Sequence, residues 1–429
     1  MPRIIAAFVS GMVLLGAGLA TAQTARQDTL RELMRRIEIL TEELERVKLK
    51  EVSRREYKSQ FGLGPAASQV YFLPDAGVSL AGYGEVVYEN FSETREDGKP
   101  ADKVDRIDFL RNVIYLGFKF NDRFYFNAEI EYEHAKAGDG APGGVAMEFG
   151  YIDAILSPKA VFRAGMILIP MGIINEWHEP PTFYGALRPE TERYIIPTTW
   201  RGGGFGFLGH FPNGLGYRIF IVEGMNVFKY SANGIRSGRQ STARAIAENF
   251  ALTGRLDYTG IKDLNLGASF FTGKSGNTHN TPNIDVTTTV LSAHGIYRKK
   301  GLEVRGVIAW SQIGNAGELN RLRGLTAGNE IGEQQLGYYV TLAYDILQHI
   351  RPEGGVATLS PFIQYERVDT QFKVPDGASK NPVNDRRNVI LGLMYKPIPT
   401  VAFKLDLMQR KNGAKTAVNQ LNLAVNYMF

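Results

Sequence analysis

The side chains able to do covalent or acid–base chemistry are few. His134, His178, His210, His279, His294 and His349 are the whole imidazole complement, and cysteine is absent. Without a thiol there is no cysteine nucleophile, disulfide or thiolate metal site. No two histidines stand at a metal-ligand spacing. In His178-Glu179-Pro180-Pro181 the prolines exclude the helix on which a His-Glu-x-x-His zinc motif is built. A serine hydrolase needs a base within reach of its hydroxyl. His294 beside Ser292, and His210 near the turn at Pro212, are the pairings to consider, and each reads more simply as an interior or interface histidine. Gly202, Gly203, Gly204 and Gly206 lead into a strand rather than a helix N-terminus, so they permit a bend or a close strand approach and cradle no phosphate. No catalytic residue, metal or cofactor is expected.

What remains is electrostatic, and it depends on where charged side chains point. In a strand, successive side chains face opposite sides. Glu303, Arg305 and Ser311 alternate with Leu302, Val304, Ile308 and Trp310, and Lys404 and Asp406 with Phe403, Leu405 and Leu407. Arg255 and Asp257 alternate with Leu252, Leu256 and Tyr258, and Asn127, Glu129 and Glu131 with Phe126, Ala128, Ile130 and Tyr132. Arg111, Arg163 and Arg218 add positive charge to the polar side. The C-terminal segment repeats the pattern, with Leu421, Leu423, Val425, Tyr427 and Phe429 against Asn422, Ala424, Asn426 and Met428. An apolar outside and a wet inside of mixed sign is what a barrel in a bilayer requires, because every backbone N–H and C=O must be paired within the protein.

The elements that would carry these faces follow from composition and punctuation. The 429 residues are 44% hydrophobic and 11% aromatic, with 47 glycines, which is ample apolar surface dispersed by alternation. A formal charge of +5 argues for neither nucleic acid nor a polybasic membrane tether. Residues 1–22 read as a secretory signal peptide, with a basic start, an apolar stretch and a small-x-small site at Ala20-Thr21-Ala22. No later apolar run reaches the roughly 18 residues of a spanning helix. In residues 23–58, Leu30, Leu33, Ile37, Leu40, Leu44 and Val47 make a heptad seam, a short coiled coil that helps a larger body to assemble. A lone amphipathic helix lying on that body is the alternative. Residues 59–77, with Gly62, Gly64, Pro65 and Pro74, read as a linker.

Residues 78–429 divide into about sixteen antiparallel strands, at 78–91, 105–120, 123–134, 145–156, 160–169, 203–211, 215–224, 249–258, 264–273, 286–297, 301–312, 334–346, 357–369, 386–396, 400–410 and 415–429. The connections alternate between tight turns, such as 121–122, 158–159 and 212–214, and long polar loops, such as 135–144, 225–248 and 313–333. Short periplasmic turns and long outer loops are the ordinary arrangement of an outer-membrane barrel, and an even strand number leaves both termini periplasmic. About sixteen strands leave an aqueous channel, where about eight would be filled by side chains.

The longest connection, 170–202, follows the fifth strand. Trp177, Phe183, Tyr184, Trp200 and its prolines make it too apolar for a solvated tether, and unstructured loops of this length are usually functional. It is expected to fold into the barrel and narrow it, bringing Glu176, His178, Glu179, Arg188, Glu190, Glu192, Arg193 and Arg201 to a constriction. Packing on the rim or on a neighbouring subunit is the alternative.

Arg163-Ala164-Gly165-Met166-Ile167-Leu168-Ile169-Pro170-Met171-Gly172 resembles the Arg-x-Gly-Gln-Phe-Lys-x-Pro-Phe-Gly stretch of the phosphate-selective porin O/P family. Glu192-Arg193, then Arg201 with Gly202 to Gly206, resembles the Glu-Arg and Arg-x-x-Gly elements that follow there. The resemblance implies a homotrimeric sixteen-stranded porin in the outer membrane of a Gram-negative bacterium. Its outside would face lipid, its coiled coil would lie in the periplasm, and small hydrophilic solutes would diffuse through without chemistry. Met166, Ile167, Leu168 and Met171 replace the family's Gln, Phe, Lys and Phe, and no dense arginine ladder occupies inward positions. The expectation is a preference for anions, phosphate or small carboxylates, through Arg111, Arg163, Arg188, Arg193 and Arg201. A tethering or adhesin-like barrel acting through the coiled coil is the alternative, and an outer-membrane hydrolase a more distant one. Phe429, with Tyr427 two residues before it, resembles the terminal signal read by the outer-membrane assembly machinery.

Overall fold

The computed structural model describes residues 31–43, 57–276, 284–352 and 354–429. The signal peptide expected at 1–22 and the heptad positions Leu30, Leu44 and Val47 lie outside the described residues. Residues 31–43 form a helix on which Leu33, Ile37 and Leu40 are exposed. This helix belongs to a unit ending at Tyr57; the second unit is Lys58–Phe429.

Period-2 alternation resolves into strands β1 (Gly77–Arg95), β2 (Arg106–Lys119), β3 (Phe124–Glu133), β4 (Val145–Ser157), β5 (Ala160–Leu168), β6 (Arg201–His210), β7 (Leu215–Glu223) and β8 (Phe250–Tyr258). There follow β9 (Leu264–Lys274), β10 (Thr287–Lys299), β11 (Leu302–Ile313), β12 (Gln334–Tyr344), β13 (Thr358–Lys373), β14 (Asp385–Ile398), β15 (Val401–Asn412) and β16 (Val418–Met428). Each pairs antiparallel with its sequence neighbour, and β1 pairs with β16, so the sheet closes and has no free edge. No helix among the described residues is long and apolar enough to cross a membrane. On β15 and β16, Phe403, Leu405, Leu407, Leu423 and Val425 are exposed on the outside, while Lys404, Asp406, Asn422 and Asn426 are buried inside. The same parity holds for the charged positions of β3, β8 and β11.

The closing seam uses the terminal aromatic. The Phe429 amide donates to the Gly82 carbonyl, and the Gly82 amide to the Phe429 carbonyl, each at 2.9 Å. A side chain at Gly82 would place its Cβ 2.8 Å from the Phe429 ring, so glycine is what lets the ring lie flat on β1. Deleting Phe429 removes both ladder bonds and the ring. It is expected to lower the yield of assembled, heat-modifiable barrel on semi-native gels, and an unchanged yield would rule out this role.

The interior is not wet throughout. Inward-facing Phe220, Val222, Phe271, Val290, Val307, Ala309 and Tyr339 form one buried apolar cluster with Ile169, Met171, Ile195, Ile196 and Trp200 of the loop after β5 and with Met225, Val227, Tyr230 and Ile235 of the loop after β7. Polar and apolar inward positions thus serve different ends: the apolar ones hold loops inside the barrel.

Candidate constriction and solute path

The loop joining β5 to β6 folds into the lumen and is bonded to the wall along its length. Its base is clasped by Asn175, whose Nδ2 donates to the carbonyls of Ile169 (2.6 Å) and Trp200 (2.9 Å) and whose Oδ1 accepts from the Trp200 amide at 2.6 Å. The Glu192 carboxylate accepts from the amides of Ile173 (2.8 Å) and Ile174 (2.6 Å) and from the Tyr339 hydroxyl of β12 at 2.7 Å. The Thr191 amide donates to Glu366 of β13 at 2.7 Å, and Glu190 pairs with Arg410 of β15. Lys404 donates to the carbonyls of Pro180 (2.8 Å) and Gly185 (2.9 Å), and Asp406 accepts the Ala186 amide at 2.6 Å. Arg305 donates to the Thr182 carbonyl at 2.9 Å and stacks on Tyr184, 5.1 Å from the ring centre. On the opposite wall His178 meets Glu129 of β3 at 2.9 Å, and Glu176 lies 3.3 Å from both Arg218 of β7 and Arg255 of β8.

Residues 59–76, expected as a linker, are folded into the same lumen from the end that carries the tight turns. Phe61, Leu63, Ala66, Ala67 and Val70 are buried. Glu179 accepts the amides of Ala66 and Ala67, each at 2.9 Å, and Asn127 of β3 donates to the Ala67 carbonyl at 2.8 Å. Lys119 of β2 holds the carbonyls of Leu73 and Pro74 at 3.0 and 2.9 Å. At Gly64 a Cβ would lie 2.5 Å from the Glu179 carboxyl carbon, so the glycine-rich composition that looks like a spacer is instead what allows close docking.

Besides a cavity of about 520 Å³ beside Trp177, Arg218 and Arg255, two cavities flank the loop. The outer one, about 420 Å³, is lined by Glu85, Arg111, Glu133, Leu187, Arg188, Arg193 and Arg236 among others. The second, about 590 Å³, lies at the tight-turn end and is lined by Tyr184, Arg298, Glu303, Thr358 and Lys396 among others. Tyr184 faces one cavity and Ala186, Leu187 and Arg188 the other, so this short stretch separates them.

The expected constriction residues therefore divide. Glu176, His178, Glu179, Glu190, Glu192, Arg201, Arg218, Arg255, Arg305 and Lys404 are engaged in anchoring, Arg201 through Glu148 at 3.1 Å. Arg163 is locked to Asp153 at 2.8 Å, away from either cavity. Arg111 faces the outer cavity but is paired with Glu85 at 3.1 Å and Glu131 at 3.6 Å. Arg188 and Arg193 line the same cavity with no carboxylate partner among the described residues. Arg236 joins them; sequence reasoning passed over it because it lies in the loop after β7, whose inward fold only the buried Tyr230 and Ile235 hint at. Ser292 bonds to Ser269 at 2.6 Å and His294 to Arg255 at 3.0 Å, so the two are engaged separately.

This closed sixteen-stranded antiparallel barrel has the fold of outer-membrane barrel proteins, porins among them. It is similar to an anion-selective porin from Comamonas acidovorans, with a TM-score of 0.54 at 10% identity over 83% of this chain and 100% of that one. It is also similar to OmpF of Salmonella typhi in complex with daunomycin, with a TM-score of 0.50 at 13% identity over 83% and 98%. At these identities the likeness is one of fold. No family model matches the chain. The chain belongs to one family with an uncharacterized protein of Aquifex aeolicus (strain VF5), to which it is 37% identical over 396 residues, 90% of this chain and 87% of that one.

Proposed function

We propose that this barrel is an outer-membrane porin through which small hydrophilic solutes diffuse, with a preference for small anions, phosphate or carboxylates among them. The observation that carries the sign is the trio Arg188, Arg193 and Arg236, which face the outer cavity without carboxylate partners among the described residues, against two acidic lining residues without an arginine or lysine partner, Glu133 and Asp108, the latter bonded to His134. Charge rings at a narrow point set which ion enters. The reading includes a homotrimer in a Gram-negative outer membrane, exported by a signal peptide at 1–22, with a periplasmic coiled coil at 23–58. That placement is supported by the end of the barrel from which Gly77 starts and at which Phe429 finishes, since it is the end of the tight turns.

In planar bilayers under a KCl gradient, the folded protein is expected to show stepwise conductance with a reversal potential of anion sign. Arg188→Ala combined with Arg193→Ala is expected to cut the anion-to-cation permeability ratio by about half or more. Cation preference in the unmodified protein would remove the anion assignment. Silence from folded protein would remove the porin and favour the tethering reading.

A further inference from the structure

Glu129 of β3 and Glu148 of the adjoining β4 meet His178 of the inserted loop inside the barrel, in no recognisable ligand spacing. All three side chains are essentially fully buried, and one ligand atom from each lies within 4.8 Å of the others. The imidazole is oriented by its second nitrogen: Nδ1 lies 3.1 Å from the Asn175 carbonyl oxygen, an acceptor, so Nδ1 carries the proton. Nε2 faces Glu129, at 2.9 Å from Oε1 and 3.1 Å from Oε2, and carries either a proton, as an imidazolium, or a lone pair. Two acceptors at that separation repel unless something positive lies between them.

The neighbouring charges do not supply it. Arg201 is committed to Glu148 Oε1 at 3.1 Å, which also accepts the Thr199 hydroxyl. Arg111 is committed to Glu85 and Glu131, and Arg188 reaches only the His178 carbonyl, at 3.5 Å. Glu129 has, besides the imidazole, the Tyr83 hydroxyl at 3.5 Å. Glu148 Oε2 is buried with no hydrogen-bond partner, 3.9 Å from His178 Nε2. An orphaned carboxylate oxygen, a second carboxylate beside Nε2, and an imidazole whose far nitrogen is held by a carbonyl match the inner and outer layers of a divalent metal site.

We propose that Glu129, Glu148 and His178 bind a first-row divalent cation, with zinc as the best-fitting probe, and that the ion pins the inserted loop to the β3–β4 wall. One nitrogen and two or three carboxylate oxygens suit such an ion. In a tetrahedral zinc site ligand atoms are about 3.2 Å apart; His178 Nε2 lies 3.1 Å from Glu129 Oε2 and 3.9 Å from Glu148 Oε2, so the Glu148 carboxylate must move inward for the ion to bind.

The test uses the full-length folded protein in detergent, stripped with EDTA, dialysed and titrated with zinc chloride, with metal content measured on the separated protein. One zinc per chain is expected. Glu148→Gln keeps the size of the side chain while removing the orphaned oxygen, and with His178→Gln it is expected to weaken binding by about tenfold or more. Heat-modifiability on gels confirms that each variant is folded, and the isosteric Glu148→Gln keeps the test decisive if His178→Gln does not assemble. Two results would overturn the proposal: folded wild-type protein without stoichiometric zinc, which would make the gap-filling charge a proton on His178, or zinc binding unchanged in a folded variant.

Discussion

Joining residue 57 directly to residue 75 is expected to raise single-channel conductance several-fold and to leave a heat-modifiable barrel. The segment removed fills the tight-turn half of the lumen against β2, β3 and the inserted loop, where it buries Phe61, Leu63, Ala66, Ala67 and Val70. None of its bonds belongs to the barrel ladder: its partners are chiefly the side chains of Lys119, Asn127, Asp153 and Glu179 and the Glu176 carbonyl of the inserted loop. Once it is gone those groups face a water-filled lumen rather than apolar protein, so they exchange one set of hydrogen bonds for another at a small net cost of about 1 kcal/mol each. The sheet, closed by β1 and β16, keeps its own bonds. Unchanged conductance would mean that ions cross on the far side, through the cavity walled by Tyr184, Thr358 and Lys396. A fall would mean that the segment holds the inserted loop open.

The division between what the sequence reveals and what it hides follows from the range of the interactions. Alternation is a local property, so the strands and their parity can be read directly; Glu303 and Arg305 point inward as expected because Val304 and Ile308 must point out. The insertion of residues 170–202 is legible too, because an apolar loop needs a place to pack. Less legible is what a charged inward residue does once it arrives. Lys404 and Arg305 look in sequence like pore charges, yet each is occupied by carbonyls of the inserted loop. A sequence does not distinguish a charge facing water from one facing a backbone oxygen, because both sit between the same apolar neighbours. Residues 59–76 carry no periodicity at all, and their docking depends on a surface that exists only after the barrel and its inserted loop have formed. The same holds for Arg236, and for the meeting of Glu129 and Glu148 with His178, which depends on the loop after β5 folding back onto the β3–β4 wall.

Arg163 is where the two roles can be told apart by experiment, since it was expected as a pore charge and is found as half of a buried pair. Its guanidinium meets Asp153 through Nε at 2.8 Å and Nη2 at 2.9 Å, and lies 3.9 Å from the centre of the Tyr151 ring. The Tyr71 hydroxyl completes the group by donating to Asp153 at 2.7 Å. Asp153 is fully buried and Arg163 is 3% exposed. Removing one partner of such a pair leaves an uncompensated buried charge and costs about 3–5 kcal/mol, whereas replacing both by apolar residues of similar size is often close to neutral. Arg163→Met is therefore expected to lower the stability of the barrel by about that amount in urea titrations in detergent, and Arg163→Met with Asp153→Leu to recover most of the loss. Because Arg163 Nη2 also donates to the Tyr71 hydroxyl at 3.3 Å, the single variant is also expected to loosen residues 58–74 and expose them to protease. The opposite outcome is equally specific. If Arg163→Met leaves stability within about 1 kcal/mol of the parent but moves the reversal potential toward cations, Arg163 faces permeating ions in the membrane and the ion pair with Asp153 opens to solvent.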